Sequence, residues 1–295
     1  MDKTIEEKYI KAGEIAKKAK DLAKKELKSG ISVLEFVEKI ESFIKKEAGL
    51  AFPVNISIND FSAHCTPDIN DTAIFKEGDL VKVDLGVQVD GYIADTAFSI
   101  KLGEKNNVLI KAAEDALKEF IDNISPGKTI EEMSKLVEQV VASYGVKTVK
   151  NLAGHSLQQY VQHGGLSIPN TYVKNKYQFK EGDVIAMEIF TTNGEGFVVE
   201  SSPTNIYMFL KQGALRLDES KKILNRIMQE YKTLPFAKRW LKDLATPVKL
   251  NMALKEMVER GVLRDYPPLR ERSKGLVAQV EETIIIKDKP IITTI

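Results

Sequence analysis

KVDLGVQVDGYIADTA, residues 82–97, decides the fold. Asp90-Gly91 parts two apolar-rich runs, and this dipeptide favours a type I′ turn, whose two central residues both need positive φ. With a two-residue loop, Val89 pairs with Tyr92 and Gly86 lies opposite Asp95. Asp84 stands two residues from Gly86 and so on the same face. Asp84 and Asp95 are then expected to be diagonal neighbours about 7–8 Å apart at the backbone. The odd positions Val81, Val83, Leu85, Val87 and Val89 make the buried stripe of a regular hairpin. The two aspartates project from the opposite face.

Two carboxylates at that spacing repel unless a proton or a cation lies between them. A solvated surface pair is the plain alternative, and other parts of the chain weigh against it. Residues 76–85 read KEGDLVKVDL and residues 180–189 read KEGDVIAMEI. Both begin with a Lys-Glu-Gly-Asp turn and continue as a strand with an acid at the fifth position after it. Asp84 in the first copy therefore corresponds to Glu188 in the second. Duplicated half-domains facing each other across a pseudo-twofold would bring both acids to one cleft. Glu281 lies within LVAQVEETIII, an apolar strand in which an acid is costly unless paired or metal-bound.

The chain has only three histidines, His64, His155 and His163. A single histidine is more often structural than a ligand. Gly154 before His155 and Gly164-Gly165 after His163 mark tight backbone turns that suit a cleft. Two Asp, two Glu and one His form an oxygen-rich set suited to a pair of divalent cations.

Outside this set, helical spacing predicts a helix over 4–29 closed by Gly30, and a second from Ser32 to about Ala48. Ser32 with Glu35 reads as a capping box, and Thr129 with Glu132 repeats that pattern. Further helices are expected over 106–124 and 130–144. Strand-like runs are VKVDLGVQV, YIADTAFSI, VIAMEIF, FVVESSPTNIYMF and LVAQVEETIII. Blocks of helices and strands indicate an α+β domain with a largely antiparallel sheet. Residues 209–270 read as three helical stretches, about 218–232, 235–245 and 248–261, inserted within a single catalytic domain spanning 1–295.

Balanced charge, 43 basic against 42 acidic residues, excludes a strongly basic chain whose field would favour nucleic acid. The single cysteine, Cys65, excludes an internal disulfide. The charged N-terminus lacks the apolar core of a signal peptide, and no apolar run nears the roughly 20 residues of a membrane span. A cytoplasmic protein is expected.

With these residues in place, the chain resembles the type II methionine aminopeptidases over nearly its whole length. The resemblance rests on AFPVNISIN (51–59), AHCTP (63–67), KVDLGVQVDGYIADTA (82–97), NLAGHSLQQY (151–160), IPN (168–170), KEGDVIAMEIF (180–190) and GLVAQVEETIII (275–286). It implies the pita-bread (creatinase/aminopeptidase) fold, with two pseudo-twofold related halves, which the internal echo independently suggests. The helical insertion is what sets type II apart, and the size is that of archaeal forms, without a long polar N-terminal extension.

The resemblance further implies that Asp84, Asp95, His155, Glu188 and Glu281 hold two divalent ions (Co, Mn, Fe or Zn), with Asp95 and Glu281 bridging. His64 and His163 match substrate-contacting histidines, and Phe52 and Tyr266 match positions of the methionine pocket. Glu188 is the expected proton carrier. The implied reaction removes the N-terminal methionine from peptides and nascent chains, by a monomer placed near the ribosome, with no membrane or specific nucleic-acid partner.

This chain departs from the family's pattern at four positions. Glu282 replaces the usual histidine after the last ligand. Cys65 stands for a bulky aromatic, Ile189 for proline and Gln162 for an apolar residue. None removes a ligand, but Glu282 is placed to alter the surroundings of Glu281. Two other readings compete with this one. A proline-specific peptidase of the same fold shares the ligands but generally carries an extra N-terminal domain. A non-catalytic binder of nucleic acid or ribosomal partners would have lost ligands, and the basic residues of KRWLKD and RERSK alternate with acids.

Overall fold

A computed structural model describes residues 1–295. Two helices open the chain, α1 (Lys3–Glu26) and α2 (Val33–Glu47). They are followed by strands β1 (Gly49–Ile58), β2 (Phe61–Ala63), β3 (Leu80–Val89) and β4 (Tyr92–Lys101). The second half repeats the helix pair as α3 (Val108–Asn123) and α4 (Ile130–Ser143). Then come β5 (Lys147–Thr148), β6 (Ala153–Ser156), β7 (Ser167–Pro169), β8 (Val184–Thr192), β9 (Val198–Glu200) and β10 (Ile206–Phe209). Helix α5 (Asp218–Glu230), β11 (Phe236–Ala237), α6 (Pro247–Glu259) and β12 (Leu263–Tyr266) precede β13 (Leu269–Glu271), β14 (Val277–Ile285) and β15 (Ile291–Ile292).

The hairpin forms as its turn requires. Asp90 and Gly91 have φ of 52° and 85°, and β3 pairs β4 with Val89 opposite Tyr92 and Gly86 opposite Asp95. The main sheet runs β1-β3-β4-β14-β8-β6-β7, with β5 on β8 and β15 on β14. Three strands of this row lie on one side of the seam between β4 and β14 and four on the other. On one side, α1 and α2 bury the odd-numbered stripe of β3. On the other, α3 and α4 pack on Ile185, Met187 and Ile189 of β8 and Val280 and Ile284 of β14.

The two Lys-Glu-Gly-Asp turns are alike in detail. Gly78 and Gly182 have φ of 84° and 86°. The acid of each turn accepts from the amide of its lysine, Asp79 from Lys76 at 2.8 Å and Asp183 from Lys180 at 2.9 Å. Gly78 donates to Leu102 O and Gly182 to Ile286 O. The halves are therefore two copies of one helix-pair and hairpin-like unit, and the architecture is the α+β pita-bread fold.

Local boundaries differ in four places. Helix α1 stops at Glu26 rather than near residue 29, because Leu27 turns to extended backbone and buries its side chain in the first core. At α2, Ser32 accepts from Glu35 N at 3.3 Å. The reciprocal Glu35 bond is absent, and Ser32 instead forms a β-bridge with Ile74. Thr129 and Glu132 do complete their box. The run FVVESSPTNIYMF is two strands, β9 in a sheet with β2 and β13, and β10 in a sheet with β11 and β12. Pro203, lacking an amide hydrogen, lies in the break. Residues 235–245 are not a helix: they form β11 and a short 3₁₀ turn, Lys238–Leu241.

Helices α5 and α6 share their own apolar cluster, with Ile223, Ile227, Leu250, Leu254 and Met257 at its centre. Arg239 anchors this region to the first half. Its guanidinium pairs with buried Glu41 of α2 and donates to Thr66 Oγ1 at 2.7 Å, while Trp240 Nε1 donates to Glu41 at 2.8 Å.

Candidate metal centre

One cross-sheet row carries most of the candidate acids. Asn55 of β1 pairs with Asp84, Asp84 with Ala97, Ala97 with Glu281 and Glu281 with Glu188. Register partners project to the same face, so Asp84, Glu281 and Glu188 stand on one side with only the Ala97 methyl between the first two. Asp95, two residues before Ala97, joins them from the next row. His155 of β6 pairs with Ala186, two residues from Glu188, and points to the same side.

The convergence is close. Donor atoms of Asp95, His155 and Glu281 all lie within 4.8 Å of one another, and His155 Nε2 is 3.9 Å from Asp95 Oδ2. Asp95 and Glu281 are each 1% exposed, whereas Asp84 and Glu188 are half-buried. Asp84 Oδ1, Asp95 Oδ1 and Glu281 Oε1 have no hydrogen-bond partner. Burial pushes the Asp84 carboxyl up to about 7. Burial, reinforced by neighbouring carboxylates, raises Asp95, Glu188 and Glu281 well above the ordinary range. The same burial lowers His155 to about 3, keeping it neutral and able to donate a lone pair.

Orphaned, mutually repelling carboxylate oxygens beside one neutral imidazole match the donor preference of divalent cations. The residues present fit a metal.

The rest of the cleft is walled by side chains of mixed character. Phe52, Leu152, Phe190, Ile206, Pro235 and Tyr266 form its apolar side. Phe52 lies over Gly86, where a Cβ would come 2.2 Å from its ring; only glycine leaves the ring that position. His64 adopts a left-handed φ of 61°, and its Nδ1 lies 3.3 Å from Pro267 O. Burial, aided by His163, lowers His64 to about 4. His163 reaches solvent at the rim. Its ring nonetheless packs edgewise on His155 at 4.5 Å and near-parallel to Tyr266 at 6.2 Å, and this enclosure lowers its pKa.

All nine residues named from the sequence, Phe52, His64, Asp84, Asp95, His155, His163, Glu188, Tyr266 and Glu281, line this cleft. Others were missed. Gln279 Nε2 donates to Glu188 Oε2 at 3.2 Å; it stands two residues from Glu281 in the same apolar strand, so the reasoning that singled out Glu281 applied to it too. Asn55, inside the quoted AFPVNISIN, lines the cleft with Oδ1 unpartnered. Gln162, singled out from the sequence only as a departure from the family's pattern, donates to Asp95 Oδ2 at 3.4 Å. Ile206, the first residue of β10, and Pro235, just before β11, carried no sequence signal, because segments distant in sequence bring them in.

A duplicated sheet with a buried carboxylate–imidazole cleft defines a metal-dependent hydrolase. The sequence model of metallopeptidase family M24 matches residues 7–288. The chain belongs to that family. A methionine aminopeptidase of Pyrococcus abyssi is 44% identical over 291 residues, covering 98% of this chain and 99% of its own. One of Methanocaldococcus jannaschii is 42% identical over 290 residues, covering 98% of each. Among solved structures, a thermophilic Arx1 superposes with a TM-score of 0.87 at 20% identity, over 99% of this chain and 91% of that one. A methionine aminopeptidase of Thermotoga maritima gives 0.73 at 19% identity, over 100% and 98%. A Pyrococcus furiosus prolidase gives 0.64 at 18% identity, over all of this chain but 64% of that one. These three likenesses establish the fold. No helix is long and apolar enough to cross a membrane.

Proposed function

We propose that this chain is a methionine aminopeptidase of the type II kind, hydrolysing the first peptide bond of peptides and nascent chains that begin with methionine. The observation that carries the reading is one cleft in which Asp84, Asp95, His155, Glu188 and Glu281 meet an apolar wall containing Phe52 and Tyr266. Near-complete coverage by archaeal relatives of that name supports it.

Asp84, Asp95, His155, Glu188 and Glu281 would hold two divalent cations. When bound, such a pair supplies a water acidified towards a pKa of about 7 as nucleophile, for which cobalt, manganese, iron and zinc all suit the donor set. Glu188 would take a proton from the attacking nucleophile and pass it to the leaving amine. His163 donates a hydrogen bond to the scissile carbonyl oxygen as charge develops, a contribution of about 10²–10³ in rate. With His64 Nδ1 directed at Pro267 O, its Nε2 is free to orient the backbone of the second residue. A free α-amine would bind beside the metal site, so only an unblocked N-terminus would be cut. Phe52 and Tyr266 enclose the methionine side chain, and Tyr266 Oη itself already touches the sulfur of Met208 at 3.3 Å. We read 1–295 as one catalytic domain, 209–270 as its insertion, and the working form as a cytoplasmic monomer near the ribosome.

Glu281→Gln is expected to abolish metal retention and activity together; full activity in that variant would refute its role as a ligand. His163→Ala should lower kcat strongly and leave metal content intact. Cleavage of Met-Ala but not Ala-Pro peptides separates this activity from that of a proline peptidase.

A further inference from the structure

The seam on which the metal centre lies is thinly paired. β3 and β4 share ten register pairs, and β14 and β8 share nine, but β4 and β14 share one, Ala97 with Glu281. Hydroxyl side chains do the remaining stitching. Ser99 Oγ donates to Gln279 O at 2.7 Å, and Thr283 Oγ1 donates to Asp95 O at 2.8 Å. Thr96 Oγ1 lies 2.8 Å from Glu281 O. Side chains therefore set the relative position of Asp95 and Glu281, which come from different halves.

Behind this seam stands a charge pair that the catalytic reading does not use. Glu282 follows Glu281 and so projects to the opposite face of β14. Lys20 of α1 reaches it with Nζ–O distances of 2.6 and 2.9 Å. The two side chains are only 6% and 14% exposed. Lys20 Nζ also donates to Thr96 Oγ1 at 3.1 Å, and that hydroxyl sits 3.0 Å from Glu282 Oε2. Thr294, near the C-terminus, donates to the same oxygen. The Thr96 hydroxyl is thus held between the backbone carbonyl of Glu281 and the Lys20–Glu282 pair.

We propose that Glu282 is a positioning residue of the metal centre: it cancels the Lys20 charge behind the carboxylates and, through Thr96, fixes the backbone that aims Glu281. The inference rests on the metal-centre reading above. Removing the Glu282 charge alone leaves a buried ammonium whose field opposes a dication across the sheet, in surroundings where screening is weak. Removing both charges does not.

The test is divalent affinity, read by calorimetric titration of Mn²⁺ into metal-stripped protein, with thermal unfolding of the metal-free form as a parallel readout. Glu282→Gln should weaken Mn²⁺ binding about 10- to 100-fold. The double variant Lys20→Met/Glu282→Gln should recover to within about threefold of the parent, and Glu282→Asp should stay close to it. A Glu282→Gln protein that unfolds at lower temperature yet keeps the parent's Mn²⁺ affinity would reduce the pair to a structural tie and overturn the proposal. A double variant as weak as the single one would overturn charge cancellation. Thr96→Val, isosteric and uncharged, tests the link should Glu282→Gln fail to fold; unchanged affinity there refutes it. If the parent protein itself binds no Mn²⁺, the metal-centre reading fails instead.

Discussion

Glu281 and Glu188 are register partners across β14 and β8, so their carboxylates leave the sheet side by side. The pairing itself is not visible in the chain, where 93 positions separate them. Continuing the row, Ala97 is the only side chain between Glu281 and Asp84.

Ala97 therefore keeps the floor of the site open. Ala97→Leu is expected to fill the space the acids share and to abolish metal retention without altering any ligand. Overpacking should cost only about 1–3 kcal/mol of stability. Metal analysis beside thermal unfolding checks this, and full metal content in a folded Ala97→Leu protein contradicts it.

The acid cluster also predicts how metal-free protein responds to pH. A carboxyl whose pKa is raised by folding binds its proton more tightly in the folded state. Its contribution is favourable below its unfolded value and is lost as pH rises through the folded one. For Asp84 that window runs from 3.8 to about 7, and Asp95, Glu188 and Glu281 act in the same direction. Chelated protein should lose stability as pH climbs through this range, and added divalent cation should restore most of it. Denaturant melts with and without EDTA measure the difference.

Glu256 predicts the opposite pH response in the insertion. Helix α5 begins at Leu217 with no side-chain cap of its own. Glu256 of α6 supplies one, accepting from Arg216 N at 2.7 Å, Leu217 N at 3.3 Å and Ser220 Oγ at 2.7 Å. Burial would raise its pKa, but these hydrogen bonds together hold it down to about 2. Its stabilisation is present above about 4.5 and disappears as pH falls towards 2. Glu256→Ala should cost about 1–2 kcal/mol at neutral pH, the usual loss for a helix cap. It should make amides of α5 exchange faster than those of the main sheet.

The turn that organises the first hairpin also supports the His163 loop. Tyr160 N donates to Gly91 O at 2.8 Å, Gln159 Nε2 to Asp90 O at 2.8 Å, and Thr233 Oγ1 to Tyr160 O at 2.6 Å. A Cβ on Gly91 would sit 2.4 Å from the Tyr160 ring, at a φ of 85° that L side chains resist. Gly91→Ala should displace the loop and lower kcat for a methionyl peptide by about tenfold or more, since small misplacements of catalytic groups are costly. Metal content should not change. An unaltered kcat would show that the loop does not depend on the turn.

How much was legible in advance differs from element to element. The Asp90-Gly91 turn carries its register in its own chemistry, and Asp84 and Asp95 followed from it by counting. Glu281 was legible as an acid in an apolar strand. Gln279 escaped because an amide there is less anomalous than a charge, although it bonds to Glu188. The region at 235–245 read as a helical stretch of the insertion. Pairing with β10 instead made Phe236–Ala237 a strand, and no local pattern announces a partner that distant.

Period-two and period-3.6 patterns, turn residues and the repeated KEGD segment were enough to determine two related α+β halves and the kinds of donor atom each offers. Those signals are local: backbone sterics and side-chain burial act over a few residues. The meeting of the halves was decided only in three dimensions. A single backbone register pair, with Thr96, Ser99 and Thr283 bridging the rest, sets β4 against β14. The reason is that contacts between residues 180 or more positions apart depend on the geometry of the packed sheet, which no short stretch of chain encodes.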